Sequence, residues 1–185
     1  MMQAAMPYPH PLGQQNSYNS VTRTTNDRMH CMNNHEFYMR RAIELAANAP
    51  TFPGGALIMD RDSGKILSEG WNKYSINPTF HGEIDAINQL VLSNPGIDAN
   101  KLVLYTTAEP CPMCQGAILW ASIEMVVFGT SIRSLKKMGW QQIDIRAEEV
   151  VRRSPAWKCS ITGGVLEHEC DALFAMAISR RNYSK

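Results

Sequence analysis

The chain has 185 residues, of which 44% are apolar and 19% charged, and its formal net charge is +1. That length suits one domain with a sizeable core, and the near-neutral charge offers no global attraction to nucleic acid or to an anionic membrane surface. No apolar run approaches the ~20 residues that a bilayer-spanning helix needs, so nothing in the chain points to a membrane protein.

Residues 1–31 are rich in Asn, Ser, Thr, Gln and Pro and lack apolar periodicity. They are expected to form a disordered or loosely docked tail ahead of a single domain over residues 32–185, with Met29 and Met32 as alternative starts. From Asn34 the chain becomes periodic. Phe37, Ala42, Ile43, Leu45, Ala46 and Ala47 fit a helix that Asn33 or Asn34 caps and Pro50 ends. Ala56 to Met59 reads as a strand, Asp62-Ser63-Gly64 as a hairpin turn, and Lys65 to Asn72 as its partner strand. After a loop ending at His81, the residues Ile84, Ile87, Leu90 and Val91 recur at helical spacing up to Asn94-Pro95-Gly96. Leu102 to Tyr105 is a buried strand, Cys114 to Ser122 a helix, and Met125 to Phe128 a strand. A segment without clear pattern follows, then a short strand around Ile161 to Leu166 and a last helix from Glu167 to Arg180. This order predicts an α/β fold, a three-layer α/β/α sandwich around a mixed, roughly five-stranded sheet.

The chemistry lies in two short stretches, His81-Gly82-Glu83 and Pro110-Cys111-Pro112-Met113-Cys114. One imidazole and two thiolates suit zinc and leave its fourth tetrahedral position open, as hydrolytic sites do. Each stretch falls where a loop enters a helix. The free N–H groups and positive dipole ends there would favour thiolate at Cys111 and Cys114. Glu83, one helical turn into its element, is placed to carry a proton rather than to ligate. Five cysteines with no apolar leader point to a reduced, cytoplasmic protein with a metal site, not to a disulfide framework. Cys159 and Cys170 read as small buried side chains. His168 and Cys170, at i and i+2 on one helix, face different ways and make no second site.

His-x-Glu with Pro-Cys-x-x-Cys is the signature of zinc-dependent nucleobase deaminases, and from about Asn33 to Arg180 the chain resembles the cytidine deaminase-like superfamily. Glu109 to Cys114 with Gly116-Ala117-Ile118 and Trp120-Ala121 looks most like its guanine deaminase and tRNA-specific adenosine deaminase branch. The resemblance implies one zinc ion held by His81, Cys111 and Cys114, with Glu83 as the proton shuttle. It implies a homodimer, and substrate contacts from Asn72, from the backbone at Gly82 (usually Ala, so that a closer, looser approach is expected here) and from Trp120. The activity implied is hydrolytic deamination of a small-molecule nucleobase or nucleoside, with a guanine-type purine favoured. Deamination of adenosine in tRNA is the rival, though the segment after Phe128-Gly129 lacks a Lys-Thr-Gly loop and the last helix is only modestly basic. The acidic substrate-binding segment of guanine deaminases is missing near Gly139-Trp140. A catalytically silent zinc-stabilised binding module is a third reading, opposed by the presence of Glu83.

Overall fold

A computed structural model describes residues 35–94 and 96–183 of the chain. The expected tail over residues 1–31, the proposed caps Asn33 and Asn34, and Cys31 lie outside the described residues.

Helix α1 (His35–Ala46) leads into the hairpin of β1 (Gly55–Asp60) and β2 (Ile66–Trp71). The Asp60 carboxylate accepts the amides of Asp62 and Ser63 and shapes the turn between them. Then come α2 (Gly82–Ser93), β3 (Leu102–Ala108), α3 (Pro112–Trp120) and β4 (Met125–Thr130). The segment without sequence pattern holds two short helices, α4 (Ile132–Lys137) and α5 (Ala147–Arg152). At six residues each, they are too brief to display a helical period. β5 (Ser160–Thr162) is shorter than expected, and α6 (Glu167–Tyr183) runs slightly longer.

The five strands form one sheet in the order β2-β1-β3-β4-β5. β1 is antiparallel to both β2 and β3, whereas β3, β4 and β5 are parallel, so the sheet is mixed. Because strand side chains alternate faces, β1 sends Ala56 and Ile58 to one side and Leu57 and Met59 to the other. The first pair joins Leu90 of α2, Ile118 of α3, Leu104 and Val126 in one core. The second pair joins Tyr38 and Met39 of α1, Tyr105, Val127 and Cys170 of α6 in the other. Two cores on opposite faces of one sheet make the three layers.

Phe37, expected on the inner stripe of α1, is instead 55% exposed, and Tyr38 and Met39 are buried in its place. Neighbouring apolar residues left the rotation of that helix undetermined, and packing on β1 and β3 decides it. Among the described residues no helix is long and apolar enough to cross a membrane.

The core on the α2–α3 face is what holds the starts of those two helices in place. Ile118→Ala, at a fully buried position, should lower the unfolding free energy by about 2–5 kcal/mol in a urea titration, with the metal content of the folded fraction unchanged.

Candidate active site

β1 and β3 run antiparallel, so the start of β1 lies beside the end of β3. Thr107 secures that junction: its hydroxyl accepts the amide of Gly55 and donates to the carbonyl of Pro53. Two helices begin there. His81 is the N-cap of α2 and Cys111 the N-cap of α3, both with extended backbone and neither with a side-chain cap bond. Pro112 occupies the first turn of α3, where its missing N–H is no loss. Two helix starts therefore face the same small volume.

Within it His81, Cys111 and Cys114 bring one donor atom each to within 4.8 Å of one another, the one such group of three among the described residues. The Nδ1 of His81 lies 3.5 Å from the sulfur of Cys114 and 3.8 Å from that of Cys111. Zinc–sulfur bonds of about 2.3 Å and zinc–nitrogen bonds of about 2.0 Å at tetrahedral angles separate N and S by about 3.5 Å. The donor set and its spacing therefore fit zinc.

The three ligand side chains perturb one another's protonation. Cys114 donates to Cys111, and this bond, reinforced by His81, pulls the Cys111 thiol down to about 4. The same bond, together with burial, holds Cys114 well above its ordinary value. The hydrogen bond to Cys111 also raises His81. Binding a metal requires both thiols as thiolates and the imidazole neutral.

Glu83 is 6% exposed, and burial raises its carboxyl above the usual range; the positive charge of His81 opposes this, and the thiolate of Cys111 adds to it. A cation among the three ligands would draw it back down. Its position in the first turn of α2 puts the carboxylate beside the ligands without making it one.

A cavity of about 600 Å³ opens over these groups, with His81, Gly82, Glu83 and Cys111 in its wall. Asn72 lines it too. Its Oδ1 accepts the amide of Tyr74. Asp85, fully buried in the first turn of α2, fixes this stretch by accepting from the Trp71 amide and from the Lys73 ammonium. Gly82 is held tightly, contrary to the looser backbone expected: a Cβ there would stand 2.7 Å from the carbonyl oxygen of Gly54. Its lack of a side chain lets α2 start directly against β1.

Trp120 is not brought to the cavity. It is 61% exposed and packs edge-on against Trp157. The inner face of α3 is Cys114, Gln115, Ile118 and Leu119, and two further residues turn the side chain to the opposite side. The remaining wall comes from residues that sequence reasoning left unassigned, among them Phe52, Tyr74, Trp140, Gln142, Phe174 and Arg181. Trp140 is held by a bond from its ring nitrogen to the Phe174 carbonyl. The guanidinium of Arg181 lies over the rings of Phe52 and Trp140 at 4.8 and 5.0 Å. No local pattern marks these residues, because they meet only when α6 and the segment after α4 fold over the end of the sheet.

A sandwich with a His-Cys-Cys zinc cradle and a buried carboxylate at paired helix starts defines a zinc-dependent aminohydrolase. Residues 32–130 match the model of the cytidine and deoxycytidylate deaminase zinc-binding region, and the chain belongs to that family, a zinc-dependent deaminase acting on nucleobases or nucleosides. It is 33% identical over 141 residues to a guanine deaminase of Bacillus subtilis, spanning 70% of this chain and 88% of that one. It is 32% identical over 155 residues to a tRNA-specific adenosine deaminase of Haemophilus influenzae, spanning 81% and 86%. Among solved structures, the guanine deaminase from Nitrosomonas europaea superimposes with a TM-score of 0.66 at 24% identity, covering 90% of this chain and 100% of that one. The crystal structure of NE0047 in complex with 2,6-diaminopurine gives 0.68 at 25% identity, covering 85% and 91%.

Two outcomes follow from the geometry. Metal binding must displace protons from the cysteine thiols and keep His81 neutral, so zinc affinity should fall steadily as pH drops from neutral, read by competition with a chromogenic chelator; Cys111→Ala should leave less than one zinc per chain at any pH. Gly82→Ala should overpack the start of α2 and cost about 1–3 kcal/mol in denaturant unfolding.

Proposed function

We propose that the protein hydrolytically deaminates a purine base or its nucleoside, with a guanine-type substrate favoured, and that Glu83 carries the protons. The observation behind this reading is the cavity itself. It lies directly over the ligands and Glu83, is roomy enough for a bicyclic base, and is walled by aromatic rings and by the Asn72 and Gln142 amides. The similarity to guanine deaminases supports it, as does a related structure that holds 2,6-diaminopurine.

Zinc, when bound, supplies a Lewis acid and a water of lowered pKa. The rest falls to the chain. Asn72 offers its Nδ2 hydrogens to an acceptor on the base and so orients the ring. The aromatic wall excludes solvent from its faces. Glu83 takes a proton from the attacking water and gives it to the ring nitrogen next to the amino-bearing carbon. As the carbon–nitrogen bond breaks, it delivers the second proton to the leaving amine, so that water and the amine become a carbonyl and ammonia. Burial serves this shuttle, because it opposes the fall that a nearby cation would cause and keeps the carboxyl able to donate as well as accept a proton.

A second reading, deamination of adenosine in tRNA, is favoured by one feature. Arg181 and the half-exposed Tyr74 stand together in the cavity wall, a cation and an aromatic ring suited to a phosphate and a flanking base. Much of the basic surface nearby is spent on internal pairs. Lys136 pairs with Asp144, and Arg152 and Arg153 both pair with Glu149.

Glu83→Ala should keep zinc at the wild-type level and lose ammonia release entirely, whereas retained turnover would remove Glu83 from the shuttle. In the intact enzyme the rate should fall on the acid side as Glu83 takes up its proton, since only its carboxylate form can accept one from water. Guanine, adenine, cytosine, their nucleosides and a tRNA, scored for ammonia, decide the substrate. Preference for cytidine would overturn the purine reading, and activity on tRNA alone would select the second.

A further inference from the structure

We propose that Glu109 is a positioning residue for substrate recognition. Its carboxylate clasps both ends of the segment that supplies one wall of the cavity. The inference rests on reading that cavity as the substrate site.

Glu109 sits two residues before the ligand Cys111, and its own backbone is pinned by a 2.7 Å bond from its amide to the Thr130 carbonyl at the end of β4. Its side chain is 1% exposed. Oε2 accepts the amide of Ile132, the first residue of α4, at 2.9 Å. Oε1 accepts the amide of Ala147, the first residue of α5, at 3.0 Å. The Nε of Arg146 reaches both oxygens at 2.7 and 2.8 Å. Both of its oxygens are thus engaged by backbone amides and a guanidinium, which suits Glu109 to anchoring although it borders the cavity.

What lies between the two clasped amides gives the arrangement its meaning. From α4 to α5 the chain runs through Gly139, Trp140, Gln141, Gln142 and Ile143, all in the cavity wall. Gly139 adopts a φ of 94°, which a side chain would strain, and Trp140 is buried directly after it. One carboxylate therefore closes this segment at its base, and the Trp140 bond to Phe174 holds its middle. Ile132 and Ala147 are fully buried, so water cannot replace a lost acceptor at either amide. The geometry couples the loop that presents the metal ligand to the wall that faces the substrate, through a single side chain.

Gln at this position keeps the shape, but it offers one acceptor oxygen and turns an NH2 group toward backbone N–H or guanidinium donors. The closing experiment uses the zinc-loaded full-length chain. Glu109→Gln, Arg146→Ala and the double variant are compared with wild type for KM and kcat on the preferred base, for zinc content, and for amide hydrogen exchange by mass spectrometry. The expected result for Glu109→Gln is unchanged zinc, kcat within a small factor of wild type, and a KM raised about tenfold, as loss of a buried charge-assisted bond implies. Faster exchange should be confined to residues 132–147. Arg146→Ala, whose side chain is 40% exposed, should shift KM and exchange in the same direction by less, and the double variant should fall short of the sum.

Loss of zinc from Glu109→Gln, a fall in kcat at unchanged KM, or exchange over 132–147 that matches wild type would overturn the proposal. If Glu109→Gln does not fold, Arg146→Ala decides, and unchanged KM and exchange there would also overturn it. Should wild type deaminate no base offered, the substrate reading fails, while the exchange comparison still tests the clasp.

Discussion

Everything in this protein that bears on chemistry depends on bringing two helix N-termini to one point. Each carries unpaired amides and a partial positive charge, so their approach is unfavourable without something electron-rich between them. Here that is an imidazole nitrogen and two sulfurs, donated by the N-caps of α2 and α3 and by the third residue of α3. The sheet enforces the meeting. β1 is antiparallel to β3, so α2, packed against the start of β1, and α3, leaving the end of β3, begin at the same edge. The apolar core beneath α2 and α3 then keeps the three donor atoms at a spacing that zinc satisfies.

Three buried carboxylates around this point do separate work, and their partners determine which. Asp85 is engaged by the Trp71 amide and the Lys73 ammonium and so holds the stretch that carries Asn72. Glu109 is engaged by two amides and Arg146 and holds the far wall. Glu83 is as deeply buried, yet its neighbours are the ligands themselves, and burial raises its carboxyl. A buried carboxylate surrounded by donors is a structural part, and one left among titrating groups is available for proton transfer.

Much of this was legible in the chain. His81-Gly82-Glu83 and Pro110 to Cys114 are local motifs whose spacing already states the ligand set, and alternating strands with interleaved helices state a layered sheet. The readings that failed share a cause. Phe37 was placed by helical periodicity and Trp120 by resemblance, but on a helix one or two positions separate the inner from the outer face, and packing chooses between them. Gly82 looked like added freedom, whereas the Gly54 carbonyl fills the space a side chain would need.

The sequence by itself determined the metal-ligand set and the nearby carboxylate, because these are local motifs that survive any global arrangement, and the resemblance those motifs carry supplied the class of reaction. Tertiary structure alone decided the cavity proposed to receive the substrate. Phe52, Asn72, Trp140, Phe174 and Arg181 are scattered over the chain and share no pattern. They become one wall only when α6 and the segment clasped by Glu109 close over the end of the sheet. The cavity is a long-range property for that reason, whereas the zinc site is a local one joined once across the sheet.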